Sequence, residues 1–409
     1  MNLIERIRVG LRPLKDALLN DSLLRELLVG YTFSNIAADL EFARYTLARL
    51  EALARLEACG PVKLVIAHDL SALAAAEAVS VRTGAPILLD IVESIKTSAR
   101  TGLTYRQIPA SGQWRLQKFH KRRARRVSGI IAVSDPFAQS AKSMFGTGAT
   151  TVSNAVPASS RFMENAPIGA PFRIAVPGSI RSELNVGRLA AIARSLAPDT
   201  CLELHGHGAE AALAALSASD KAEACGRLVA LPPLSGDAYL ERLSSCCLAF
   251  IDCDPKFGNF VDGLPNRFWD AAAAAMPIAT RITNGNRRFA ETYPDAFILA
   301  EGSPGNIADS LGAACAKFSS KPEFLRIARL ASQAMANAAS SEACDAFKSE
   351  VKSLRSSSGG AVVVLSRSAS GKNARIARQL SWIKELGHVP MLVDGQDVRV
   401  RVAMTPASA

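Results

Sequence analysis

Three sets of residues in this 409-residue chain have the types and spacing to handle an anion or a hydroxylated ligand. Gly178, followed by Ser179, Ile180 and Arg181, stands where an apolar run gives way to a helical stretch. A glycine there lets a phosphate reach the backbone, and Arg181 can neutralise it. Pro265 fits the first turn of a helix, which leaves the N–H groups near Asn266 and Arg267 free to face a phosphate. Arg267 adds a second cation. His68-Asp69 and Asp90 with Glu93 end two neighbouring apolar runs, where α/β folds place ligand groups. The first two sets have a plainer reading: Arg181 as a surface charge, and Asp262 to Asp270 as an ordinary loop and helix start with solvated carboxylates.

Other motifs point to less. Gly371-Lys372-Asn373 resembles the end of a phosphate loop, but the first glycine is missing and Asn follows the Lys where Ser or Thr is needed, which argues against a P-loop nucleotidase. A polar loop and a ligand contact both remain open there. The eight cysteines contain no CxxC pair. They read as reduced, mostly buried thiols rather than disulfides. His205 and His207 read as polar turn residues around Gly206 and Gly208, because no third ligand is evident, and no metal is expected. Asp252-Cys253-Asp254 reads as a strand end.

The elements that must position these residues alternate. Strands are predicted at Lys63–Ala67, Pro86–Asp90, Gly129–Val133 and Thr150–Ser153, with an Ala-rich helix over Ser71–Arg82. A second series runs Phe172–Val176, Cys201–Leu204, Arg227–Ala230, Leu248–Ile251, Met276–Thr280 and Ala296–Leu299, closed by a helix over Glu323–Leu354. The Pro/Ala/Gly-rich stretch Pro157–Pro171 reads as a linker. After Ser356 to Gly360 comes a strand Ala361–Leu365, a helix Ala374–Leu386 and a strand Val389–Val393, a βαβ unit too small to bury its own core. Met1–Leu56 is mostly helical by periodicity. The expected fold is α/β, with two doubly wound domains facing a cleft: residues 1–157 with 361–409, and residues 158–355.

Composition agrees with a globular chain of two or three domains: 49% hydrophobic, 21% charged, 6% aromatic. This excludes a disordered chain and a single small binding module. A net charge of +11 suits anionic partners without choosing among them. No uncharged apolar run reaches the 18 residues of a membrane span, and charges interrupt the N-terminus, so a cytoplasmic chain without a signal peptide is expected. Lys118–Arg126 holds six Lys or Arg in nine residues. It reads either as a solvated face or as a peripheral contact with acidic membrane, and nucleic acid is the poorer third reading.

The run Gly263-Leu-Pro-Asn-Arg-Phe-Trp-Asp270, followed by an Ala-rich helix and Met276-Pro-Ile-Ala-Thr280, resembles the donor segment of GT-B glycosyltransferases, in particular retaining family 4. Ala67-His-Asp69, Leu89-Asp-Ile-Val-Glu93, Ile131-Ala-Val-Ser134, Val152-Ser-Asn154, Gly178-Ser-Ile180 and Leu204-His-Gly-His-Gly208 extend the resemblance in the family's order, from Lys63 to Leu311. The terminal βαβ resembles the unit with which that family begins, so the chain looks circularly permuted. The alternatives there are a truncated further domain or an artificial join.

The resemblance implies transfer of a sugar from a nucleotide-diphosphate sugar to a glycan or lipid-linked acceptor, with retention, and with no metal, cofactor or obligatory covalent nucleophile. It implies that Arg181, Asp262 and Arg267 are catalytic. Gly178, Gly206, Gly208, Leu264, Asn266, Asp270, Gly371 and Asn373 would bind the donor, with Asp262 near its sugar and Asp270 on its ribose. His68, Asp69, Asp90 and Glu93 would lie on the acceptor side. The sequence departs from the family's pattern at several places: Asp262 and Asp270 for glutamates, Val92 for a histidine, Ala275 for a glycine, and no Lys after Arg181. A sugar-nucleotide epimerase and a non-catalytic binder of nucleotide sugar or glycan stay open as alternatives.

Overall fold

The computed structural model describes residues 61–92, 118, 120–163, 171–180, 186–224, 226–253, 261–354, 360–366, 374–394 and 401–402. The helical expectation for Met1–Leu56 lies outside them. The chain divides into two units. The first draws on residues up to Ala132, Phe137–Thr150 and Ala346 onward, and the second on Val133–Pro136 and Thr151–Asp345.

In the first unit, β1 (Val62–His68), β2 (Ile87–Ile91), β3 (Val127–Ala132) and β4 (Ala149–Thr151) form a sheet with β11 (Ala361–Ser366), β12 (Val389–Asp394) and β13 (Arg401–Val402). Its order is β13-β12-β11-β1-β2-β3-β4. β11 lies parallel between β1 and β12, with Ile66 opposite Val364 and Val364 opposite Leu392. Every residue of β2 and β11 is buried, which is why both read as unbroken apolar runs rather than alternating ones. The helix Leu73–Thr83 buries five alanine and valine side chains beyond Leu73, and the helix Ala374–Glu385 joins β11 to β12. The terminal βαβ is thus an interior part of this sheet.

The second unit holds β5 (Phe172–Pro177), β6 (Thr200–His205), β7 (Leu228–Leu231), β8 (Leu248–Ile251), β9 (Ile278–Thr280) and β10 (Phe297–Leu299), in the order β10-β9-β8-β5-β6-β7. All pairings are parallel. Strand alternation divides its core. Ile174, Val176, Leu248 and Phe250 face one cluster with Leu189, Ile192 and Leu311, while Ala175, Ala249 and Ile251 face another with Phe268, Trp269 and Met335. Chain direction across the sheet reverses between β5 and β8, the switch point where open α/β sheets bind ligands.

Two readings change. β9 starts at Ile278 rather than Met276, because Ala275 takes a left-handed φ of 53° and the Met276 N–H closes back onto the Ala271 carbonyl. The Pro157–Pro171 stretch, read as a linker, is anchored in the second unit wherever it is described. The Ala158 N–H donates to Asn337 Oδ1, and the Phe162 carbonyl accepts from buried Arg329. Composition signals loops but not what ties them down.

Candidate functional site

β5 and β6 end side by side, and the turns that follow them are packed backbone to backbone. The Ile180 N–H donates to the His207 carbonyl at 2.9 Å. A Cβ on Gly206 would lie 2.2 Å from the Gly178 carbonyl oxygen, and one on Gly208 would lie 2.5 Å from that of Ile180. Gly178, with φ 86°, would set a Cβ 3.2 Å from Cβ of Arg267, and its N–H donates to Tyr239 Oη at 2.9 Å. These contacts give the glycines a packing role. The missing side chains make room for the neighbouring turn and for the aliphatic part of Arg267.

Arg267 comes from the helix Asn266–Ala273, which opens behind Pro265 without a side-chain cap. It is 8% exposed, and Nη2 donates to the Asp252 carbonyl just beyond β8. One cationic side chain therefore touches the chain after both strands of the switch point. Tyr239 is a partner that sequence reading missed. Burial, then the nearby Asp270 carboxylate, pushes its hydroxyl far above the usual tyrosine value, so it stays protonated. Nothing in its own segment signals that role.

The other residues expected at a donor site separate. Asn266 is exposed and accepts from Asn154 Nδ2, whereas Leu264 is buried in the cluster of Phe268 and Trp269. Asp262 accepts from Asn284 Nδ2 at 3.0 Å, and its carbonyl accepts from Ser134 Oγ at 2.7 Å. Its loop is held by a second glycine contact, since a Cβ on Gly285 would lie 2.5 Å from the Gly263 carbonyl oxygen. Asp252 pairs with Arg188 through its own carboxylate. Arg181, Gly371, Asn373 and Glu93 lie outside the described residues.

In the first unit, His68, Asp69 and Asp90 come together at the ends of β1 and β2. Asp90 is fully buried, and its carboxylate accepts from Arg375 Nε and Nη2, from Gln379 Nε2 at 2.7 Å and from His68 Nδ1 at 3.1 Å. Burial alone would raise its pKa, but Arg375 and His68 outweigh that and hold it well below the usual carboxylate range. Asp69 takes a φ of 70° and caps the following turn by accepting from the Leu70 N–H. Both carboxylates are thus engaged by the protein itself, Asp90 by side chains and Asp69 by the Leu70 N–H.

His205 is not a turn residue. It is the last residue of β6, 2% exposed, with Nε2 at 3.1 Å from Glu203 Oε2 and 3.8 Å from Cys246 Sγ. His207 is the exposed one. Of the basic run, Arg123 and Arg126 pair with Glu77, while Lys118, Lys121, Arg122 and Arg125 face solvent. No helix among the described residues is long and apolar enough to cross a membrane.

No protein-family model matches the chain and no curated protein is similar to it. Solved structures are. Anabaena HepE in complex with UDP-glucose aligns at 14% identity and a TM-score of 0.51, over 70% of this chain and 79% of its own. Sucrose-phosphate synthase from Thermosynechococcus elongatus aligns at 10% identity and 0.51, over 69% and 71%. A glycosyltransferase from Rickettsia africae aligns at 9% identity and 0.52, over 77% and 83%. At such identity the likeness establishes the fold, which is GT-B with two Rossmann-like domains.

Proposed function

We propose that this chain is a glycosyltransferase that takes a sugar from a nucleotide-diphosphate sugar and passes it to a glycan or lipid-linked glycan, with retention. The observation that carries the reading is Arg267 at the switch point of the second sheet, against Gly178 after β5 and bonded to Asp252 after β8. A diphosphate at that edge would meet this guanidinium, with Arg181 assigned to the same charge, and that negative charge grows as the sugar departs. Stabilising that charge is the main catalytic contribution. HepE, whose fold this chain shares, was solved with UDP-glucose, which makes a uridine donor the first to try.

Asp270, beside Tyr239, is assigned the donor ribose, and Asp262 the donor sugar, with Asn284 fixing its orientation. Leu264 and Asn266 shape the same segment, and Gly371 and Asn373, which fall in sequence between β11 and the helix Ala374–Glu385, are assigned to the donor as well. His68, Asp69, Asp90 and Glu93 belong to the acceptor side.

The order of the first sheet favours a circular permutation. Counted from β11, it reads 3-2-1-4-5-6-7, and the second sheet, counted from β5, reads 6-5-4-1-2-3. Both follow the doubly wound order, and the first does so only when the terminal unit is placed first.

A non-catalytic binder is the second reading, favoured by the complete engagement of Asp90. Incubation with a panel of donor sugars and membrane extract separates the two, since only the enzyme turns donor over; an epimerase would do so without acceptor. In the same panel, Asp270→Ala should weaken UDP or GDP binding by about 1–3 kcal/mol, the cost of unsatisfied partners. Unchanged binding would refute the donor assignment.

A further inference from the structure

We propose that Glu203, His205 and Cys246 hold a zinc ion in the core of the second unit. Glu203 and His205 stand two apart on β6, so both point to one face of the sheet, and Cys246 arrives there just before β8. The three donor atoms form a triangle: His205 Nε2 to Glu203 Oε2 is 3.1 Å, Cys246 Sγ to Glu203 Oε2 is 3.3 Å, and Cys246 Sγ to His205 Nε2 is 3.8 Å. Zinc bonds of about 2.0–2.3 Å at tetrahedral angles require edges of roughly 3.3–3.6 Å between nitrogen, oxygen and sulfur ligands. Shifts of a few tenths of an ångström bring the triangle to that size.

Charge and burial agree with the geometry. The residues are 7%, 2% and 0% exposed, among alanines and leucines. A carboxylate and a thiolate carry the two negative charges that cancel a dication, which removes the cost of burying either sign alone. Without the ion, the carboxylate must be shared between an imidazole and a thiol that is a weak donor. Burial, followed by Glu203, keeps that thiol protonated. Zinc binding therefore releases one proton, from Cys246, and the neutral imidazole carries its own on Nδ1, which no described residue hydrogen-bonds. Arg173 at 3.8 Å from the other Glu203 oxygen supports the carboxylate from behind. Three protein ligands leave the fourth position to water. Neither the donor sugar nor the transferase activity enters this argument.

The test uses the full chain without a histidine tag, stripped by chelator and dialysed against zinc chloride or cobalt chloride. One equivalent of tightly held zinc per chain is expected, and cobalt should give a tetrahedral visible spectrum with a thiolate-to-metal band. Cys246→Ser and the isosteric Glu203→Gln should each weaken zinc binding about 100-fold or more, since even partners outside the ligand set cost 10–100-fold. Cys247→Ser, whose thiol faces Cys315 at 3.3 Å, should leave it unchanged. Less than one equivalent of zinc, an octahedral cobalt spectrum, or loss of binding on Cys247→Ser but not on Glu203→Gln overturns the site. Should a variant fold poorly, the cobalt spectrum of the unaltered chain decides alone.

Discussion

Replacing Gly206 with alanine tests whether the packed turns after β5 and β6 are the donor site. Gly206 does not take a left-handed φ, so the backbone itself accepts alanine. The contact does not: the new methyl would stand 2.2 Å from the Gly178 oxygen, 2.6 Å from its carbonyl carbon and 3.0 Å from the Ser179 nitrogen. Ordinary carbon–oxygen contact is about 3.5 Å, so the turns must part by about 1 Å. Such a shift breaks the 2.9 Å bond from Ile180 to His207 and moves Gly178 relative to Arg267. Overpacking of this kind costs about 1–3 kcal/mol, or roughly 2–12 °C in melting temperature for a unit of this size. A displacement of about 1 Å can cost 100-fold where positioning matters, so UDP affinity should fall at least tenfold by calorimetry. Gly312→Ala, in the helix Pro304–Ser320 with nothing within 4 Å, is the control and should gain about 0.5–1 kcal/mol without touching affinity. A lowered melt with wild-type UDP binding would refute the donor assignment; an unchanged melt would refute the packing itself.

Arg375→Met should destabilise the first unit by about 3–5 kcal/mol in urea titration, because it strands the buried Asp90 charge, and Asp90→Leu added to it should restore much of the loss. Acid should weaken the fold in two stages. Burial, then Arg123, lowers the His120 pKa to about 4 from 6.5, so the unfolded chain takes up a proton that the folded one refuses and roughly 3 kcal/mol is lost between pH 6.5 and 4. Asp90, depressed in the fold, contributes stability that is present above pH 3.8 and lost below it. Denaturation midpoints followed against pH should lose the first stage, and only that stage, in His120→Gln. Lys118, Lys121, Arg122 and Arg125 should draw the chain to acidic liposomes by about 1 kcal/mol each; cosedimentation that ignores salt and survives Arg122→Glu with Arg125→Glu would sink the contact.

What could be read from sequence was whatever adjacent residues decide. Leu248–Ile251 is a buried strand because four apolar residues in a row leave no polar face, and Ala361–Leu365 is one for the same reason. What could not be read depends on distant partners. His205 looks like a loop residue until Cys246, 41 positions on, closes against it. Arg375 and Gln379, four apart at the start of a helix, carried a signal for a shared carboxylate, but Asp90 lies 285 and 289 positions before them. The turn glycines Gly178, Gly206 and Gly208 stood out by position, but the backbone packed against Gly206 and Gly208 is a neighbour that spacing along the chain does not reveal.

The place of β11 in the middle of the first sheet also has a consequence during synthesis. β1, β2 and β3 leave the ribosome early, but the strand that must lie against β1 begins only at Ala361. From Ala132 to Ala361, at about 5–20 residues per second, those strands wait roughly 10–45 s with an apolar edge unpaired. The second unit, whose described strands all lie between Phe172 and Leu299, can complete its sheet within that interval. The half of the protein that is made first therefore finishes last, and a chaperone that shields the β1 edge should raise the folded yield more than one acting after the chain is released.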